Sequence, residues 1–248
     1  MIEDRRNIIP MPLFAGFCAA ELLVLIALKL VQAVDRVALS ATFLMFGAIL
    51  LNALFMLFLV TRVKRAGKGM ALAGIPLAVF LTLLADVFLV LAYDLSAAGL
   101  IHFIAPLTAN MIGFLVFGLV QVTYACYLGL TKLRLGIRIG FYLALIGLIF
   151  ALDLFSWDRL IACLSMSQLV LNLIFGWIEH KRRRTVTSLL FALGITLFMG
   201  CDGLIMVRML LPEEGLVYAI VFFMVWVFYI PSQVLLTAGY LTDRTTAA

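Results

Sequence analysis

Charge is the scarcest feature of this sequence. Lys, Arg, Asp and Glu make up 12% of its 248 residues, against about a quarter in an ordinary water-soluble domain. Histidine occurs only at His102 and His180, neither of them in the core of an apolar run. The usual ligands of a catalytic metal are therefore missing, and a metal-dependent hydrolase is the reading with least support. Cys18, Cys126, Cys163 and Cys201 all lie inside apolar runs, with no CxxC and no Cys/His cluster. Neither a zinc site nor a disulfide framework follows. There is no Walker loop, HExxH or GxSxG. The reading calls for no metal and no cofactor.

What is abundant is apolar surface. Hydrophobic residues account for 66% of the chain, more than a chain of this size can turn inward, and lipid is the solvent that accepts the excess. A closed β-barrel would show short alternating segments of weak hydropathy, whereas runs such as Met70–Leu91 and Leu216–Leu236 are long and continuous. Helices satisfy every backbone group within one segment and so can span. About 20 residues cross a hydrocarbon core of roughly 30 Å. Eight stretches qualify, at 11–33, 38–61, 70–93, 108–130, 137–155, 159–178, 186–208 and 216–240. The expected fold class is all-α: a polytopic membrane helix bundle of eight transmembrane helices, forming one domain over 1–248. Arg5 and Arg6 precede the first apolar stretch, as in a cleaved signal peptide. That stretch runs on to about Val34, which favours an uncleaved first span.

The net charge of +5 needs no nucleic-acid partner. Its cations flank the apolar runs. Counting turns alternately, 14 of the 18 basic residues fall on one side: Arg5 and Arg6, the Arg62–Lys68 turn, Lys132, Arg134 and Arg138, the Lys181–Arg184 run, and Arg244. Lys29, Arg36, Arg159 and Arg208 fall on the other. The positive-inside rule places both termini in the cytoplasm of a multi-pass cell-membrane protein. The segment 95–107 is too apolar for an ordinary loop and too short to cross and return. It reads as an interfacial or re-entrant piece, or as an extension of the fourth span broken at Pro106, with His102 an interfacial side chain.

A faint repeat relates Leu81–Val90 to Leu197–Met206, each with a central Asp, and each followed by a span carrying a Tyr and a Gln near its middle. Two four-helix halves in the same orientation would account for it, and so would chance in so biased a composition. The acids are Asp86 and Asp202. Asp86 follows Lys68 by 18 residues and Asp202 follows Arg184 by 18, about 27 Å along each helix, so the two share a depth. An ionisable group inside a span costs about 2.5–3.5 kcal/mol, which function or an internal partner must offset. Two carboxyls meeting in a dry site cannot both ionise cheaply, and such a pair offers a general acid beside a general base. That suits hydrolysis through an oxocarbenium-like state, and equally proton-coupled transport. The bland alternative is that each Asp only hydrogen-bonds to a neighbouring helix. Gln121 with Tyr124, and Tyr229 with Gln233, share helix faces and could bind a polar head group or hold the carboxyls, or act as interhelical glue worth about 0.6 kcal/mol. Glu21 has no charge partner at i±3 or i±4 and is a site member or a structural contact with equal claim. Asn52, Asn110 and Asn172 read as packing contacts. Gly136 and Gly140 form a GxxxG, a weak packing signal.

At these positions the chain resembles the YhhN-like family of membrane proteins, whose characterised animal members are lysoplasmalogenases. The residues that carry the resemblance are Leu84-Ala85-Asp86-Val87-Phe88-Leu89, Gly118-Leu119-Val120-Gln121-Val122-Thr123-Tyr124, Leu197-Phe198-Met199-Gly200-Cys201-Asp202 and Phe228-Tyr229-Ile230-Pro231-Ser232-Gln233. They extend from about residue 70 to 241. Gln121 stands where the family usually has His, and an amide cannot transfer protons as imidazole does. Ala85 and Cys201 replace the usual small neighbours of the acids. The resemblance implies hydrolysis of the vinyl ether bond of a lysophospholipid, compatible with Asp86 and Asp202 as the catalytic pair; Gln121, Tyr124, Tyr229, Gln233 and Glu21 are the residues that the reading of the spans offers for binding the lipid. A membrane transporter or lipid-binding module using the same acids without hydrolysis is the competing expectation. A sensory or assembly module without chemistry is a third.

Overall fold

The structure, a computed structural model, describes residues 11–34, 39–62, 70–153, 155–211 and 215–245. Nine α-helices run through them: α1 (Met11–Val34), α2 (Leu39–Arg62), α3 (Met70–Asp86), α4 (Tyr93–Ala97), α5 (Pro106–Leu128), α6 (Lys132–Ala151), α7 (Trp157–Arg183), α8 (Val186–Leu210) and α9 (Leu216–Thr245). A π-helical stretch, Val87–Ala92, joins α3 to α4, and the three pieces form one span. The described residues contain no strand and hold eight helices long and apolar enough to cross a membrane. The chain is an all-α polytopic helix bundle. Arg5, Arg6, Arg36, Lys64, Arg65 and Lys68, on which part of the charge argument rests, lie outside the described residues.

The spans fall where hydropathy puts them, with informative shifts at the ends. α6 starts at Lys132 rather than 137, because Thr131 caps it: its hydroxyl accepts the Arg134 N–H at 3.2 Å. Lys132, Arg134 and Arg138 are therefore helical. α7 continues through its basic cluster to Arg183, and Arg184 turns the chain in the left-handed region, φ 52°. Thr185 and Ser188 then close a capping box on α8. The segment 95–107 finishes α4 and then bends, held by the Ser96 hydroxyl on the Ile104 carbonyl at 2.7 Å. Pro106 opens α5 instead of breaking it, as suits a residue with no N–H to lose. His102 is exposed.

Consecutive spans pack side by side, α1 on α2, α2 on α3 and α3 on α5, then α6 on α7, α7 on α8 and α8 on α9. Between these two sets, α5 packs on α7 and α9 on α2. α9 also packs on α3, while Phe117 and Tyr124 of α5 meet Phe198 and Phe191 of α8 edge-on. α9 packs on α1 as well, so the last span meets three spans of the first set, whereas α5 meets mainly α7 of the second. α6 rests on α7, and its Gly136 and Gly140 meet nothing, so the GxxxG packs against no described part of this chain.

Apolar surface gives no net drive between helices in lipid, so close packing has to supply it. Glycines set the approach on the two tightest seams. A Cβ on Gly113 of α5 would fall onto the Leu89 side chain and stand 3.2 Å from the Leu89 backbone nitrogen. One on Gly194 of α8 would stand 2.8 Å from Leu236 Cγ and 3.2 Å from the Ser232 carbonyl of α9, and one on Gly200 2.8 Å from the Phe228 ring. Gly113→Ala is expected to destabilise by about 1–3 kcal/mol, read as a lower unfolding midpoint in detergent. Gly147→Ala, which meets nothing within 4 Å, is expected to leave the midpoint unchanged or slightly raised.

Candidate functional site

Three side chains from three helices meet in the interior. Asp86 ends α3 and is buried, at 6% exposure. The Tyr229 hydroxyl of α9 donates to its Oδ2. Asp202 of α8 is an electrostatic neighbour of both Asp86 and Tyr229. It is partly exposed and has no hydrogen-bond partner among the described residues. Asp86 stands 16 residues beyond Met70, Asp202 16 beyond Val186 and Tyr229 16 before Thr245. All three are therefore about 24 Å from the same end of the bundle, the end that carries the Lys181–Arg184 run. The two acids thus share a depth and lie within electrostatic reach of each other.

Local structure explains the placement. Tyr229 is locked by aromatic neighbours, with Phe198 at 5.4 Å and Trp226 at 5.1 Å between ring centroids. Two rings meeting it at steep angles leave little choice of rotamer, so the hydroxyl is aimed at Asp86. Gly200 lets α9 close on α8 at this level, and buried Cys201 sits beside both acids. Directly after Asp86 the backbone widens into the six-residue π stretch. Such stretches occur mostly at functional positions, because they give up regular helical bonding for local geometry.

The other expected binding residues spread along the bundle axis. Gln233, one turn from Tyr229, is buried with both amide atoms unpartnered. Tyr124 is fully buried, its hydroxyl turned toward Thr82, four residues before Asp86. Gln121 lies elsewhere. Tyr127 against Gly74 and Gly113 against Leu89 set the α3–α5 register, which puts Gln121 more than a turn nearer the basic end than Asp86. There its carbonyl and its Oε1 accept from Asn172 Nδ2 at 2.8 and 3.0 Å. Asn172 Oδ1 in turn accepts from Arg138 at 2.9 Å. Glu21 is also apart from the acids. Phe17 and Phe55 stack at 4.1 Å, and one turn further Glu21 comes level with Asn52, whose Oδ1 accepts from Thr237 at 2.8 Å. Glu21 is buried at 2% exposure and neither of its carboxyl oxygens has a partner.

Sequence reasoning missed Thr82, the π stretch and the Arg138–Asn172–Gln121 chain. Thr82 carries a signal, since i−4 from a buried acid is the same helix face. Arg138 would have been visible as an intramembrane cation had its helix been started at Lys132.

Two cavities are described. One of about 80 Å³ lies at the basic end between Tyr127, Gly176, Glu179 and Thr187. The other, about 440 Å³, is an open apolar groove between α1 and α9 beside Leu25, Lys29, Phe223 and Val227. Neither is lined by Asp86 or Asp202. Among the described residues no group of His, Cys, Asp and Glu is arranged to hold a metal ion. No family model matches the chain, and no curated protein and no solved structure matches it either.

Removing the Tyr229 hydroxyl leaves a buried carboxyl without its donor. Tyr229→Phe is expected to lower stability by about 1–3 kcal/mol. Combined with Asp86→Leu it should lose less than the two single losses summed, as a double-mutant cycle on unfolding midpoints would show.

Proposed function

We propose that this chain is an integral membrane hydrolase that cleaves the vinyl ether bond of a lysophospholipid, with Asp86 and Asp202 as its acid–base pair. One observation carries the reading: acids from α3 and α8 lie at one depth within electrostatic reach of each other, and one of them is oriented by Tyr229. The motifs shared with the YhhN-like family support the substrate class. The concentration of basic residues at one end supports a cell-membrane orientation with both termini cytoplasmic.

In this mechanism the two acids divide the work by their surroundings. Asp202, partly exposed and without a donor, carries the proton and delivers it to the vinyl carbon β to the ether oxygen. The C=C pair forms the new C–H bond, leaving an oxocarbenium ion. Asp86, held as an acceptor by Tyr229, takes a proton from water as the water oxygen adds to that cation. The resulting hemiacetal collapses to a fatty aldehyde and the glycerophospho-head group, with one water consumed. Gln233 is placed one turn away to bind polar parts of the lipid. A proton-coupled carrier is the second reading. It is favoured by the faint repeat around Asp86 and Asp202 and by polar groups buried inside the spans.

The test is aldehyde release by purified protein from a 1-alkenyl lysophospholipid. Asp86→Asn and Asp202→Asn should each lower kcat by about 100-fold or more, the usual contribution of a positioned acid or base. Full activity in both variants would sink the pair. No aldehyde from the unaltered protein, with proton-dependent lipid uptake into vesicles, would establish the carrier reading instead.

A further inference from the structure

Away from the acids, one cation lies buried without a counter-charge. Arg138 of α6 is 3% exposed, yet its Nε and Nη1 have no partner. Its Nη2 donates only to Asn172, a neutral amide whose own donor is committed to Gln121. The carboxylate of this region is already shared. Glu179 accepts from Arg134 at 2.9 Å, from Arg183 at 2.5 Å and from Arg182. Arg134 adds a second cation beside the first: both guanidinium groups lie over the ring of Phe175, at 5.4 and 5.1 Å from its centroid. The helix end compounds the imbalance. Lys132, Arg134 and Arg138 occupy the first two turns of α6, whose first turn holds no acid, so three cations crowd the positive end of the helix dipole. Removing one partner of a buried pair is strongly unfavourable because a lone charge remains. This site has that character with no partner removed.

We infer that Arg138 forms a binding site for a phosphate group at the junction of α5, α6 and α7; Arg134 beside it is committed to Glu179 and to the Leu128 and Gly129 carbonyls. The side of the membrane fits a phospholipid head group. Arg138 is six residues into α6, about 9 Å from its start, in the half of the span next to the basic end. The direction of entry fits as well. α6 rests on α7 with only 11% of its span buried, so most of its surface is open to the surroundings. Exposed Cys126 of α5 is an electrostatic neighbour of Arg138, so the buried guanidinium lies close to the lipid-facing surface. Phosphate supplies the several acceptor oxygens that a guanidinium with free donors matches best. Basic pockets between spans at the cytoplasmic side are where anionic head groups bind.

The measurement is the unfolding midpoint of the full chain in zwitterionic micelles, titrated in one arm with phosphatidylglycerol and in another with inorganic phosphate against chloride at equal ionic strength. Phosphatidylglycerol should raise the midpoint by roughly 5–10 °C, the shift expected at about 100 times Kd for a chain of this size. Arg138→Met should lose most of that rise while unfolding no earlier than the unaltered protein in the zwitterionic micelle, since an apolar side chain of similar length relieves the buried charge. The exposed Arg184→Gln should keep the rise. An equal rise with inorganic phosphate would make the free anion the ligand and uphold the phosphate site. Should Arg138→Met fail to fold, lipid retained by Arg138→Lys decides, with anionic lipid reduced several-fold in native mass spectra of the purified protein. A rise of the same size in the Arg138→Met or Arg138→Lys variant, or no rise in the unaltered protein, overturns the inference.

Discussion

Polar groups inside a lipid-facing bundle have only one another to bond, and that constraint organises this structure. Each internal hydrogen bond that matters ties two spans together. Tyr229 to Asp86 joins α9 to α3, Asn52 to Thr237 joins α2 to α9, and Asn172 joins α7 to both α5 and α6. Lipid competes for apolar surface as well as any helix does, so these bonds, with the glycine seams of α3–α5 and α8–α9, specify which helices are neighbours. The exposed apolar side chains of the spans do not. They face outward on all sides, as at Leu23, Leu133 and Leu216.

The acid site is a product of the way the two halves interlock. Neither half contains it. Asp86 comes from the first half, while Asp202 and the tyrosine that holds Asp86 come from the second. The arrangement is asymmetric as well, since Asp86 receives a hydroxyl and Asp202 receives none among the described residues. Two equivalent carboxyls would compete for the same role. Unequal surroundings are the general condition for an acid and a base to coexist, and the proposed mechanism rests on that difference.

Much of the fold is legible in the sequence because crossing lipid demands a long apolar run, and little else in a protein produces eight of them. Depth is legible too, since 1.5 Å per residue from a basic anchor places Asp86 and Asp202 at one level. Azimuth is not. With apolar residues on all faces, helical periodicity fades, and nothing in the pattern shows that Gln121 turns to Asn172, or that Glu21 meets α2 at the level of Asn52. Those directions depend on which helix arrives opposite, through Gly74 and Gly113 on the α3–α5 side and the Phe17–Phe55 stack between α1 and α2. Helix starts are blurred for a related reason. Lys132 and Arg134 read as the edge of the membrane, yet Thr131 begins the helix before them.

The wide turns between Val87 and Ala92 have a geometric consequence for the rest of their span. A π turn accommodates an extra residue, so tightening one such turn to α would rotate everything beyond it by about 100° and shift it by about 1.5 Å along the axis. Asp86 lies before the stretch and would keep its aim. Asp94 lies after it, and its 2.7 Å bond from Thr42 would be thrown off the α2 face. The span therefore behaves as two pieces indexed separately: a fixed lower shaft that presents the acid, and an upper segment whose angular setting can change without disturbing it.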